Sequence, residues 1–141
     1  MIERLSRHEQ ACLMELLIHL AKSDGKDMDA KKAVLMQYAE LIEADANQLK
    51  GTLTPKELVP QFQSAASRVI VLQELMRLAR IDGHLTIPEE SVILDIASMM
   101  GLPLSLVQKV EEWVVDGIKW TLRGESLLQE AEHTALRNTA P

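Results

Sequence analysis

The chain is poor in cysteine, aromatics and basic charge, and it has no long apolar run. A single cysteine, Cys12, excludes an internal disulfide and a cysteine-rich zinc site. Aromatic residues make up only 3%, with one Phe and one Tyr. Basic residues number 15 against 21 acidic, for a net charge of −6. That balance argues against nucleic acid or an anionic membrane as the main partner, because phosphate binding needs surplus Lys and Arg. No segment reaches the roughly 18–20 uncharged apolar residues of a membrane span. The start, MIERLSRHEQ, lacks the long apolar run of a secretion signal, so a cytoplasmic protein without direct membrane insertion is expected.

Leu, Ala, Met and Glu dominate what is present, and β-branched residues nowhere alternate with polar ones for long. The composition, 47% hydrophobic in 141 residues, suits one all-α domain spanning 1–141. Capping boxes mark helix starts at Ser6-Arg7-His8-Glu9, Thr54-Pro55-Lys56-Glu57 and Thr86-Ile87-Pro88-Glu89. The first opens a helix over 7–23 carrying Leu13, Leu16, Leu17, Leu20 and Ala21. Pro60 limits the second to a short or kinked helix. Further helices are expected over 30–45, 64–81 and from Thr86 to a left-handed stop at Gly101. Pro103 begins a helix over 103–122. Gly124 is expected to end it, with a short last helix over 125–136.

Sliding the chain on itself reveals a repeat. Asp24-Gly25 and Asp82-Gly83 lie 82 − 24 = 58 residues apart. At that offset Leu17 matches Leu75, Leu20 matches Leu78, Ala21 matches Ala79, Val34 matches Val92 and Ala39 matches Ala97. Each copy, about 10–45 and 68–103, reads as a helix, a tight loop opening on Asp-Gly and a second helix. Neither hairpin can cover its own apolar stripe, so the two copies are expected to pack face to face about a pseudo-twofold axis, with C-terminal helices added.

The element Leu-Ala-x-x-Asp-Gly, followed by a short loop and a helix, resembles the TerB-like (tellurite resistance) family. That fold also occurs in the N-terminal part of DjlA-type co-chaperones. Asp82, Gly83, Leu85 and Glu89 fit the family pattern in the second copy. The first copy keeps Asp24 and Gly25 but has Asp27 at the apolar position and Lys31 at that of the Glu. The resemblance implies a non-enzymatic stress or tellurite-resistance domain that binds a divalent cation and contacts other proteins, membrane proteins among them. Self-association is compatible with it.

Each Asp of the pair stands at a helix C-terminus, the unfavourable end for a carboxylate, where the mismatch costs on the order of 0.3–1 kcal/mol. The structural answer is backbone: Asp accepts from loop N–H groups, and Gly25 and Gly83 supply positive φ. Glu89 then completes a capping box. The alternative is a Ca²⁺ or Mg²⁺ ion held by Asp24, Asp82 and Glu89, with Asp27, Asp29 and Glu90 as further oxygen donors. Lys31 competes with such an ion. The EF-hand spacing is absent, since Lys22, Leu20, Arg80 and Leu78 stand where its carboxylates belong.

Other constellations read as structural. His8, Cys12, Glu15 and His19 share a stripe opposite Leu13, Leu17 and Leu20 and are expected to face solvent; the rise from His8 to His19 is about 16 Å, too far for one ion. Cys12 has no visible orienting partner for nucleophilic chemistry. The pairs Glu89-Glu90 and Glu111-Glu112 point apart on a helix and do not suit glycoside hydrolysis. Lys31-Lys32 is expected to be a solvated turn. Trp113 and Trp120, and the Met residues, are expected in the core, with a partner surface as the alternative. No His-Pro-Asp signature of a J-domain is present.

Overall fold

Ser6 sits in extended backbone and its hydroxyl accepts from the Glu9 N–H, while the Glu9 carboxylate accepts from the Ser6 N–H. This box starts α1, Arg7–Lys22, as the sequence predicts. The computed structural model describes residues 1–23, 29–43, 52–81 and 83–139, with the side chains of 29, 30 and 136–139 outside the description. Beyond α1 the chain forms α2 (Asp29–Leu41), α3 (Pro55–Leu58), α4 (Ala65–Ala79), α5 (Ile87–Met99) and α6 (Leu104–Thr139), with short 3-10 turns at Ile2–Arg4 and Val59–Gln61. Among the described residues there is no strand, and the molecule is an all-helical bundle. None of these helices is long and apolar enough to cross a membrane.

The repeat is visible in the element boundaries. α1 begins at 7 and α4 at 65, α2 at 29 and α5 at 87, and α2 ends at 41 where α5 ends at 99; each difference is 58. The caps repeat too, since Ser6 and Ser64 are the same position and both accept from the N–H three residues on. Gln10 and Arg68 are another equivalent pair. Gln10 Nε2 donates to the Ile2 carbonyl (3.1 Å), and Arg68 donates to the Phe62 (2.8 Å) and Met100 (3.2 Å) carbonyls. The core follows the same arithmetic: Leu17 and Leu75, Leu20 and Leu78, Ala21 and Ala79 are all buried. α1 packs on α4, α1 on α2, and α4 on α5; α3 covers α1, and α6 lies on α4 and α5.

α1 is thus enclosed by α2, α3, α4 and α5. This corrects one expectation. In the stripe His8, Cys12, Glu15 and His19, His8 is exposed and His19 half-buried, but Cys12 and Glu15 are buried. A helix contacted from several sides has no wide solvated face.

The C-terminal reading also changes. α6 runs without a break through Gly117 and Gly124 to Thr139. Neither glycine has a positive φ, and a glycine inside a helix costs only about 1 kcal/mol relative to Ala, too little to force an end. Gly101, at φ +73, does close α5 as predicted. Val107, Val110 and Val114 bury one face of α6, but Trp113 and Trp120 are exposed and not in the core. Met36 and Met99 are exposed as well, whereas Met14, Met76 and Met100 are buried.

Candidate functional site

The corner where α2 meets α5 holds the most deeply buried charges among the described residues. Thr86 caps α5 and Glu89 is its third residue, so the capping box aims the Glu89 carboxylate back at Thr86. Glu89 Oε1 accepts from the Thr86 hydroxyl (2.8 Å) and backbone N–H (3.3 Å). Its Oε2 accepts from Lys31 Nζ at 2.8 Å. The side chains are 2% exposed for Lys31 and 0% for Glu89. Lys31 therefore does not lie in a solvated turn, as expected from its neighbour Lys32; it points into the molecule from the first turn of α2. The two residues are 89 − 31 = 58 apart, so they occupy one and the same position of the repeat.

The proposed ligands distribute unevenly around this corner. Asp24, Gly25, Asp27 and Asp82 lie outside the described residues. Asp29 begins α2, and its side chain is likewise not described. Glu89 is buried, whereas Glu90 is exposed on the outer side of α5. Gly83 has φ +88, the left-handed geometry expected of it. Among the described residues no three His, Cys, Asp or Glu side chains converge as a metal-ligand group.

A second polar crossing joins the copies: the Tyr38 hydroxyl on α2 donates to Glu74 Oε2 on α4. Arg77 donates to the other Glu74 oxygen at 3.3 Å. Glu74 is nearly fully buried, and desolvation raises its carboxyl above the ordinary 4.5 despite the nearby Arg77 charge. The sequence reading missed both Tyr38 and Glu74. The available signal was a Glu on the apolar stripe of α4, where the first copy has Leu16.

The setting of Cys12 disfavours its thiolate. Burial pushes its thiol up, and the Glu15 and Glu9 charges push it further. Its Sγ lies 3.8 Å from His8 Nε2, and the same nitrogen bonds Gln61 Oε1 at 2.7 Å.

On the outside, α5 and α6 frame a small groove of about 180 Å³. Leu85, Ile93, Leu94, Leu104 and Val107 give it an apolar lining, with Glu90 and Glu111 beside them. Leu94 and Leu104 are both exposed there. Glu111 also accepts from Arg80 (2.9 Å), which ties α6 to the end of α4. A pocket for a drug-sized ligand or cofactor runs to roughly 300–1,000 Å³, so this groove suits a single aliphatic side chain instead.

The chain was compared with family models, curated proteins and solved structures, and none of them matches it.

Proposed function

We propose that this chain is a non-enzymatic protein-interaction module of TerB-like type, in which the Glu89 corner is structural and the α5–α6 groove receives an apolar side chain of a protein partner. The observation that carries this reading is that both Glu89 oxygens are engaged inside the fold, by Thr86 and by Lys31. A carboxylate bonded in this way has little left to offer a cation, and the Lys31 ammonium already supplies positive charge there. The duplicated hairpin and the Asp-Gly motifs support the family resemblance, and the module reading is the one that resemblance allows without a metal.

The groove gives the partner its chemistry. Leu94 and Leu104 offer apolar walls, and Glu90 stands exposed beside them. A leucine or isoleucine anchor followed by Lys or Arg fits both features.

Two measurements on the full chain test this. Peptide display against the folded protein should enrich sequences pairing an aliphatic anchor with a basic neighbour, and Leu94→Asp or Leu104→Asp should abolish the enrichment. Calorimetric titration with Ca²⁺, Mg²⁺, Mn²⁺ and Zn²⁺ should give no heat. Binding heat that disappears in Asp82→Ala would overturn the module reading in favour of a cation site at Asp24, Asp82 and Glu89.

A further inference from the structure

α6 extends well past the bundle. Every residue from Lys119 to Ala135 is exposed, a rod of about 25 Å at 1.5 Å per residue. Most helical stability in proteins comes from packing one face, and this stretch packs on nothing in its own chain. Gly117 and Gly124 weaken the helix further, because glycine is a poorer helix former than any residue but proline. The fold of the single chain gives no reason for either glycine. A Cβ at Gly117 or Gly124 would meet nothing within 4 Å, and neither has a positive φ.

The glycines make sense as half of a pattern. Trp113, Gly117, Trp120, Gly124, Leu127 and Ala131 follow one another in steps of four and three, so they form a single stripe in which large and small residues alternate. Trp113 is 44% exposed, Trp120 78% and Leu127 64%. The stripe borders the bundle-facing Val107, Val110 and Val114, with Val110 at the Gly117 position one heptad earlier, and the α5–α6 groove uses neither Trp. A parallel copy would set Trp against Trp and Gly against Gly. An antiparallel copy sets each large residue against a small one.

Charge then selects the register. Along one flank of the stripe Lys109, Asp116, Arg123 and Glu130 recur every seven residues, all exposed, with alternating sign. With Trp120 over Gly117 of the partner subunit and Trp113 over Gly124 of the partner subunit, Asp116 faces Arg123 of the partner subunit twice. Lys109 faces Glu130 of the partner subunit twice. Sliding one heptad either way brings like charges together: Asp116 with Glu130 and Arg123 with itself, or Asp116 with itself and Lys109 with Arg123. On the other flank Thr121 and Leu128 are uncharged and Val114 is buried against the bundle, so that side opposes no register. We infer that the α6 arm is an antiparallel dimerisation helix whose partner is a second copy of this chain, held by Trp-on-Gly packing. This inference does not rest on the groove reading.

Sedimentation equilibrium of the full chain across a concentration series is the test. A monomer–dimer equilibrium is expected. Asp116→Arg alone and Arg123→Asp alone should each weaken it about tenfold, since each turns two attractive pairs into two repulsive ones, and the double variant should restore it. Gly117→Leu should abolish the dimer and yet raise the melting temperature of the dilute monomer, because leucine is the better helix former and meets no obstacle. A dimer that survives Gly117→Leu, or a double variant that stays weak, overturns the register and with it the inference. A chain that remains monomeric throughout overturns it outright, while the groove reading stands or falls on the peptide selection.

Discussion

In the first copy of the repeat the positions that cross to the other half hold Leu16, Lys31 and Tyr38; in the second copy the same positions hold Glu74, Glu89 and Ile96. Lys31 bonds Glu89, its own counterpart. Tyr38 bonds Glu74, whose counterpart Leu16 is buried and apolar, as is Tyr38's counterpart Ile96. Where the halves differ, they differ as complements. Identical halves would bury Lys beside Lys or Glu beside Glu, and even a well-matched buried charge loses several kcal/mol of hydration. One crossing is an ion pair and the other a hydrogen bond, while Leu16 and Ile96 are buried hydrocarbon. Each hairpin now needs the other for its polar groups as well as for its apolar stripe.

The largest effect should come from breaking the pair of equivalents. Glu89→Ala removes the carboxylate that Lys31 bonds and half of the α5 capping box. A loss of about 3–5 kcal/mol in urea denaturation is expected. Lys31→Met combined with Glu89→Gln should recover part of it, because the amide oxygen still accepts from Thr86 and both members of this ion pair are removed together. If Glu89→Ala costs less than about 1 kcal/mol, less than a typical hydrogen bond to a charged group, the halves are not held together at this corner.

Glu74 tests the second crossing through pH. Its folded pKa is raised above the ordinary 4.5 by burial, so the native protein binds that proton more tightly than the unfolded chain does. Its contribution is most favourable below the ordinary carboxylate value and is lost as pH rises through the raised one. Glu74→Gln keeps an acceptor for Tyr38 and has no charge to desolvate. Its stability should be flatter over that interval and higher than that of the parent chain at neutral pH, where the buried carboxylate no longer has to be desolvated. An unchanged slope in the variant would assign the pH dependence to a different group.

Local chemistry was legible in the sequence, and long-range partnership was not. The boxes at Ser6 and Thr86, the positive φ of Gly83 and Gly101, and the buried series Leu13, Leu17 and Leu20 each depend on neighbours within one or two turns. Lys31 read as solvated because nothing near it in sequence says otherwise; its burial is decided by a residue 58 places on. The repeat alignment placed Lys31 against Glu89, so the signal existed, but only as opposite signs at one repeat position. Trp113 and Trp120 show the converse. Seven-residue spacing marks a helix face without saying whether the chain itself covers it. Gly124 failed as a stop signal because flexibility permits a turn but does not impose one.

The smallest effect separates two caps that the repeat makes equivalent. Ser6 and Ser64 each accept from the N–H three residues on, at 3.1 and 3.0 Å. At the first copy Glu9 reciprocates by accepting from the Ser6 N–H, and the bonds lie in the open. At the second, position 67 is a serine, whose hydroxyl donates to the Ser64 carbonyl, and Ser67 is buried. Removing a cap costs about 1 kcal/mol in general, and less where water can take the vacated N–H. Ser64→Ala should therefore cost more than Ser6→Ala, by a few tenths of a kcal/mol on the same scale. Amide exchange gives the sharper readout: the Ser67 N–H should lose protection in Ser64→Ala, whereas the Glu9 N–H, already near solvent, should change little in Ser6→Ala. Equal costs and equal exchange would mean that the two helix starts are interchangeable, and that the divergence between the copies is confined to the positions where they cross.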